Sequence, residues 1–219
     1  MELVARMPYS SNATFLVNIT SGDAQCQGIY KPLKGERPLW DFKPGLHKHE
    51  VAAYELSEAM ALDIVPPTVL RDGHFGEGSV QFFVDAVLEE HYFSIYENRP
   101  ELHDALRSIC AFDIVANNTD RKGGHCLLDT QQRVWAIDHG VCFAADFKLR
   151  TVIWEFGGEE LPQELRKVIE PLVESVPLNV STLLTSDEVF ALQERAQWIC
   201  EGGAFPIDKS GSRYPWPLI

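Results

Sequence analysis

The sequence predicts an α+β protein of two lobes: a β-rich N-terminal lobe over 1–84 and a mainly helical C-terminal lobe over 85–219. Three observations predict it. Segments rich in β-branched and aromatic residues crowd the beginning of the chain, and they return after one helical stretch. Beyond residue 100, apolar residues recur mostly at helical spacing. The change of pattern falls near residue 85, and ligands favour clefts between lobes joined in this way.

Taken in order, 2–7, 13–19 and 26–31 read as strands, with "SSNAT" and "TSGDAQ" as turns. "KPLKGERPLWDFKPG" carries three Pro and two Gly and reads as a loop. A helix is predicted over 47–62, with Ala52, Ala53, Leu56, Ala59 and Met60 on one stripe. "DIVPPTVLRDG" and "GSVQFFVDAV" read as two strands joined by a Gly-rich turn. Residues 101–117 read as a helix, with Leu102, Ala105, Leu106, Ile109 and Phe112 spaced to face one core. "HCLLDTQQRVWAID" reads as a hairpin, and "LPQELRKVIEPLVESV" and "SDEVFALQERAQWICEG" as helices. The Pro-interrupted end, "AFPIDKSGSRYPWPLI", reads as irregular.

Bulk properties narrow the function classes. Apolar content of 45% and charged content of 23% are those of a soluble globular chain. No apolar run approaches the roughly 20 residues that span a bilayer, and "MELVARMPYSSN" is too charged for a secretory signal. The five cysteines are odd in number and scattered without a CxxC, which fits reduced thiols and a cytoplasmic setting. A net charge of −13 with no basic cluster repels nucleic acid and anionic membranes.

The residues with the most chemistry lie in "NNTDRKGGHCLL" (117–128) and in "AIDHG" ten residues on. Asp120 and Asp138 stand at the two ends of the predicted hairpin, so the chain should bring them together. A single Asp beside Gly is ordinarily a turn residue; a pair at matched hairpin ends suggests carboxylates that serve metal-dependent phosphoryl transfer. Gly140 is expected to allow the sharp turn that frees Asp138.

These residues carry a resemblance. "DRKGGHCLLDTQQRVWAIDHG" is similar to the catalytic and metal-binding segment of the phosphatidylinositol 3- and 4-kinase superfamily, whose pattern is D-R-x-x-x-N, a hairpin and I-D-x-G. Shared "NTDR" and "AID-G" make the motif similarity greatest to the type II phosphatidylinositol 4-kinases. "SSNATFLV" resembles the group's Ser-rich phosphate loop, "GIYKP" its strand with the ATP lysine, "IVPPT" the segment after its first helix and "GSVQFFVDA" the strand leading to its adenine-contacting hinge. The similarity covers roughly residues 6–160 and fits a compact bacterial branch of the superfamily.

The resemblance implies a two-lobed protein-kinase-like fold, ATP as phosphate donor and Mg²⁺ or Mn²⁺ as cofactor. It implies that Ser10, Ser11 and Asn12 cover the phosphates and that Lys31 contacts them. Glu50 is implied as the partner of Lys31; helical periodicity alone leaves Glu50, Glu55 and Glu58 open. Main-chain groups at Phe83, Val84 and Asp85 would hold adenine. Asp138 would bind the metal, and Asp120 would orient or deprotonate the acceptor hydroxyl. Arg121 would stabilise the loop or the transferring phosphate, the structural role being the more expected.

His125 departs from the pattern, standing where the superfamily has a metal-binding Asn. Mg²⁺ prefers oxygen, whereas imidazole suits Mn²⁺ or Zn²⁺ better. Three roles stay open: a ligand with altered metal preference, a hydrogen-bond partner of Asp120 or of a phosphate, or the mark of a site that binds nucleotide without turnover. A zinc site from His125, Cys126, His139 and Cys142 is disfavoured. Strand alternation sends His125 and Cys126 to opposite faces, and the spacing fits no zinc ribbon or finger. His47 and His49 read as surface residues, Trp40, Trp135 and Trp154 as packing anchors, and the acids at 155–160 as a solvated turn and helix start.

The sequence therefore predicts a kinase acting on a hydroxyl of a protein or small molecule. The alternative is a nucleotide-binding regulatory module without turnover, and AMP transfer is a third outcome. Phosphoinositide is not carried over as the acceptor: residues 143–158, where the superfamily shapes that site, offer only Lys148 and Arg150 as cations.

Overall fold

The computed structural model describes residues 1–8 and 12–219. Five antiparallel strands form the first layer: β1 (Glu2–Arg6), β2 (Phe15–Ser21), β3 (Ala24–Pro32), β4 (Thr68–Gly73) and β5 (Gly76–Phe82), in the order β1-β2-β3-β5-β4. Between β3 and β4 runs α1 (Leu46–Ala59). The rest is mainly helical: α2 (Tyr92–Asn98), α3 (His103–Ala116), α4 (Gln163–Ile169), α5 (Pro171–Glu174), α6 (Leu178–Ser181) and α7 (Ser186–Gly202). A two-stranded hairpin, β6 (Cys126–Leu128) with β7 (Val134–Ala136), interrupts them. No helix among the described residues is long and apolar enough to cross a membrane.

Two cores explain the layering. A small one under the sheet joins Val17, Tyr30 and Val80. The large one gathers Ile109, Phe112 and Val115 of α3, Leu128 of the hairpin and Leu192 and Ile199 of α7. Ala52, Ala53, Leu56 and Met60 of α1 belong to the large core, so this helix is packed on the helical lobe although it precedes β4 and β5. Ala59, expected on that stripe, is exposed. The hairpin edges are covered by chain from both lobes, with Ala136 N–H on the Ile64 carbonyl and Val87 N–H on the Leu128 carbonyl.

Helix ends follow local chemistry. Thr185 and Glu188 form a reciprocal capping box at the start of α7. The stretch expected as one helix over 161–176 is broken into α4 and α5 at Pro171, which lacks the N–H to continue the ladder. Neither α2 nor α6 was foreseen. Helix α2 is short and aromatic, so no 3.6-residue stripe marks it, and its cap is the unusual His91, whose Nδ1 accepts from Ser94 N–H.

The two histidines expected at the surface are buried. His47 Nδ1 lies 3.0 Å from Glu36 Oε1 and its Nε2 2.9 Å from Glu77 Oε1. Glu36 also accepts Gly45 N–H and His47 N–H, capping α1 in place of the missing Ncap side chain. Burial pushes the His47 pKa down, but the hydrogen bonds to Glu36 and Glu77 outweigh it, and the net shift is upward. The imidazolium therefore contributes stability in full below about pH 6.5, and the contribution is lost as pH rises through the raised value. Urea unfolding of the wild type and of His47→Gln should differ most near pH 6 and converge toward pH 9. A gap independent of pH would refute the ionic role. Trp40, expected to anchor packing, is 93% exposed, whereas Trp135 and Trp154 are half-buried. The acids near 155–160 do not start a helix; Glu159 instead pairs with Arg107 at 2.8 Å.

Candidate active site

Lys31 lies near the end of β3, and its Nζ reaches Glu50 Oε1 from α1 and Asp138 Oδ1, the latter at 2.7 Å. The other Glu50 oxygen accepts His139 N–H at 3.0 Å. Glu50 thus fixes the lysine and the backbone after Asp138 together, and among the three candidate acids of α1 it is the one buried toward the cleft. Burial lowers the Lys31 pKa, and the facing carboxylates of Asp138 and Glu50 more than reverse this. The Lys31 charge holds the Asp138 carboxyl well below the usual range.

Asp138 itself adopts the left-handed conformation, with φ of 62°. The turn is therefore made by Asp138 and not by Gly140, as the sequence led one to expect. Gly140 matters for closeness: a Cβ there would lie 3.3 Å from Glu50 Oε1. A non-glycine residue held at positive φ is strained, and such strain clusters at sites the surrounding structure over-determines.

Asp120 and Asp138 line the same cleft together with Asn12 and Lys31. The larger part, about 320 Å³, is walled by Met7, Ile29, Gln81, Lys122, His125 and Ile137. Asp120 N–H donates to Asn118 Oδ1 at 3.0 Å, and Asp120 Oδ2 lies 3.1 Å from Lys122 Nζ. Burial raises the Asp120 pKa, partly offset by Lys122. Ser10 and Ser11 lie outside the described residues, whereas Asn12 is at the cleft with its Oδ1 on Arg37 N–H. Phe83, Val84 and Asp85 follow β5, but the cleft lining on that strand ends at Gln81, and Phe83 N–H is committed to the Gln27 carbonyl.

Arg121 does not reach the cleft. Its side chain is fully buried and grips Asp113 of α3 with two nitrogens, at 2.7 and 2.9 Å. Nη1 donates to the carbonyls of His125 (3.2 Å) and Ile137 (2.8 Å), and Nη2 to His139 Nε2 (2.7 Å). One guanidinium thereby bolts both ends of the hairpin to α3. Of the two roles expected for Arg121, the geometry has the structural one, because no phosphate can touch a guanidinium enclosed in this way.

His125 Nε2 lies 3.4 Å from Asp138 Oδ2, while its Nδ1 accepts Lys122 N–H over a long 3.4 Å. Burial lowers its pKa to about 4, so the ring is neutral. With Nδ1 accepting, the proton sits on Nε2 and faces Asp138. Cys126 points the other way, into the large core.

Several residues at or behind the site were not singled out from the sequence. Lys122 sits two positions after Asp120, a cation next to a candidate base. Asp113, Asn117 and Asn118 are polar residues in an apolar helix and its end, which is the sequence signal of a buried network. Asn117, in the left-handed conformation, holds 144–148 by donating to the Ala144 and Asp146 carbonyls and accepting Lys148 N–H, at 2.8 to 2.9 Å. His49, read from the sequence as a surface residue, is buried and links Gly140 O (3.1 Å) to Glu188 of α7 (3.3 Å).

The Mycobacterium tuberculosis protein Rv2133c is 32% identical over a 256-residue alignment that covers all of this chain and 92% of that protein. The chain belongs to the Rv2133c family. No family model matches it. Among solved structures it resembles the Helicobacter pylori proinflammatory kinase CtkA, with a TM-score of 0.56 at 10% identity over 93% of each chain. It also resembles hydra Fam20, solved with a sugar, with a TM-score of 0.51 at 14% identity over 88% of this chain and 82% of that one. These likenesses show the fold: this member of the Rv2133c family has a kinase-like architecture, with an antiparallel sheet in the first lobe and helices in the second.

Proposed function

We propose that this chain is an ATP-dependent phosphotransferase of the phosphatidylinositol 3-/4-kinase-like type, acting on a hydroxyl of a protein or small molecule. The observation that carries this reading is Lys31 Nζ held between Glu50 and Asp138, with Asp120 lining the same cleft. Phosphoryl transfer asks a protein mainly for positioning and charge stabilisation, and this set supplies both.

In the proposed reaction Lys31 neutralises the non-transferred phosphates and Asn12 lies over them. Asp120 orients the acceptor hydroxyl and takes its proton as the new O–P bond forms and the bond to the bridging oxygen of ADP breaks. Lys122, beside Asp120, steadies the transferring group. A divalent cation, when bound, supplies charge neutralisation between the phosphates, and Asp138 is the residue that would hold it. The donor set fits such an ion through Asp138 and phosphate oxygens. As found, His125 fits less well as a ligand, because metal on Nε2 would force its proton onto Nδ1, opposite Lys122 N–H. It suits a donor to Asp138 or to a phosphate.

The protein should transfer label from γ-labelled ATP to an acceptor or to water with Mg²⁺ or Mn²⁺, and Asp138→Ala should abolish it. Nucleotide binding without transfer to any acceptor pool would favour the second reading, a regulatory module without turnover. That reading is motivated by His125 standing where the superfamily has Asn. α-Labelled ATP in the same assay separates AMP transfer from both.

A further inference from the structure

Gln81 lies on the interior strand β5, directly opposite Ile29 of β3 on one side and Thr68 of β4 on the other. Directly opposed residues project to one face of a sheet. Here Ile29, Lys31 and Gln81 all line the cleft. Gln81 is nevertheless almost wholly buried, with 6% of its surface exposed, an unusual place for an amide.

Its orientation follows from the proton count. Thr68 Oγ1 donates its one proton to the Pro66 carbonyl at 2.7 Å. That hydroxyl can then only accept from Gln81, whose Nε2 lies 2.9 Å away. The amide nitrogen is therefore turned toward β4, and the Gln81 carbonyl oxygen has no protein partner among the described residues. That oxygen is not among the side-chain atoms shut off from water without a partner, so it is open to the cleft, and a ligand that displaces water there and supplies the donor is favoured over one that does not.

Lys31, where the phosphates would lie, is two residues along β3 from Ile29, about 7 Å of strand. Ile29 and Ile137 provide apolar walls for a flat ring at that distance. We propose that the side-chain carbonyl of Gln81 selects the nucleotide base, accepting a hydrogen bond from the exocyclic amine of adenine. A base with a carbonyl at that position sets oxygen against oxygen and is rejected. The proposal rests on the nucleotide-binding reading of the cleft, and it makes Gln81 a specificity residue that needs no acceptor to be tested.

Inosine triphosphate differs from ATP in this group, so dissociation constants for the two, measured by calorimetry on the full chain with Mg²⁺, provide the test. Wild type should bind ATP tighter by about tenfold or more. Gln81→Met, of similar length but without the acceptor, should bring the ratio close to one while the protein remains folded by circular dichroism. If that variant does not fold, Thr68→Val removes the anchor that turns the amide and should narrow the ratio in the same direction. Equal affinity of wild type for both nucleotides overturns the proposal, as does a preference that survives in the variants. Binding of neither nucleotide removes the kinase reading and this proposal together.

Discussion

Asp113→Ala is expected to destabilise the protein by about 3–5 kcal/mol, the range for breaking a buried ion pair by removing one partner. Asp113 and Arg121 are both essentially inaccessible to water. Without the carboxylate the Arg121 charge stays enclosed, facing the carbonyls of His125 and Ile137 and the neutral His139. Asn118 also loses the Asp113 oxygen that accepts its amide at 3.0 Å. Replacing both charges, as Asp113→Leu with Arg121→Met, often restores stability at a buried pair. Here it should recover only part, because the two hairpin carbonyls would still lack their donor. Urea unfolding of the single and double variants checks the ordering. A loss below about 1 kcal/mol in Asp113→Ala would show that water reaches the pair and that the bolt is not what holds the hairpin.

Most of the elements that the sequence disclosed repeat an apolar side, whereas β1, exposed almost throughout, was disclosed by its residue types alone. Strands β2 and β3, helices α1, α3 and α7 and the β6–β7 hairpin each repeat an apolar side at the spacing of their backbone, and each lies close to its expected place. Helix α2 has no such stripe. Exposure was misread where the partners come from other elements. His47 looks solvent-facing until Glu36 and Glu77 are folded onto its two nitrogens, whereas Arg121, expected mainly in a structural role, takes that role on Asp113 of α3. Periodicity could not choose Glu50 from Glu55 and Glu58. The resemblance chose it, and the structure places it on Lys31. Gln81 was hidden for another reason: its meaning depends on one hydroxyl of a neighbouring strand.

Asp120→Asn is expected to lower transfer of γ-labelled phosphate by roughly 10²–10⁴-fold, the range for losing a positioned general base. The affinity for ATP should change little, since Lys31, Glu50 and Asp138 are untouched. The amide is nearly isosteric and can still accept from Lys122, so the loop, pinned by Asn118 on the Asp120 N–H, should keep its shape. What it loses is the capacity to take a proton. The pH profile distinguishes this from a structural effect. Burial raises the Asp120 pKa and Lys122 pulls it back, so the acidic limb of the wild-type rate should lie above the usual carboxylate range. The base is the deprotonated form, and activity on that limb rises with pH. Lys122→Met removes the pull and should move the limb further toward neutral pH. If Asp120→Asn keeps the wild-type rate, or if the limb does not move when Lys122 is replaced, Asp120 is not the base and its place beside Lys122 serves the loop alone.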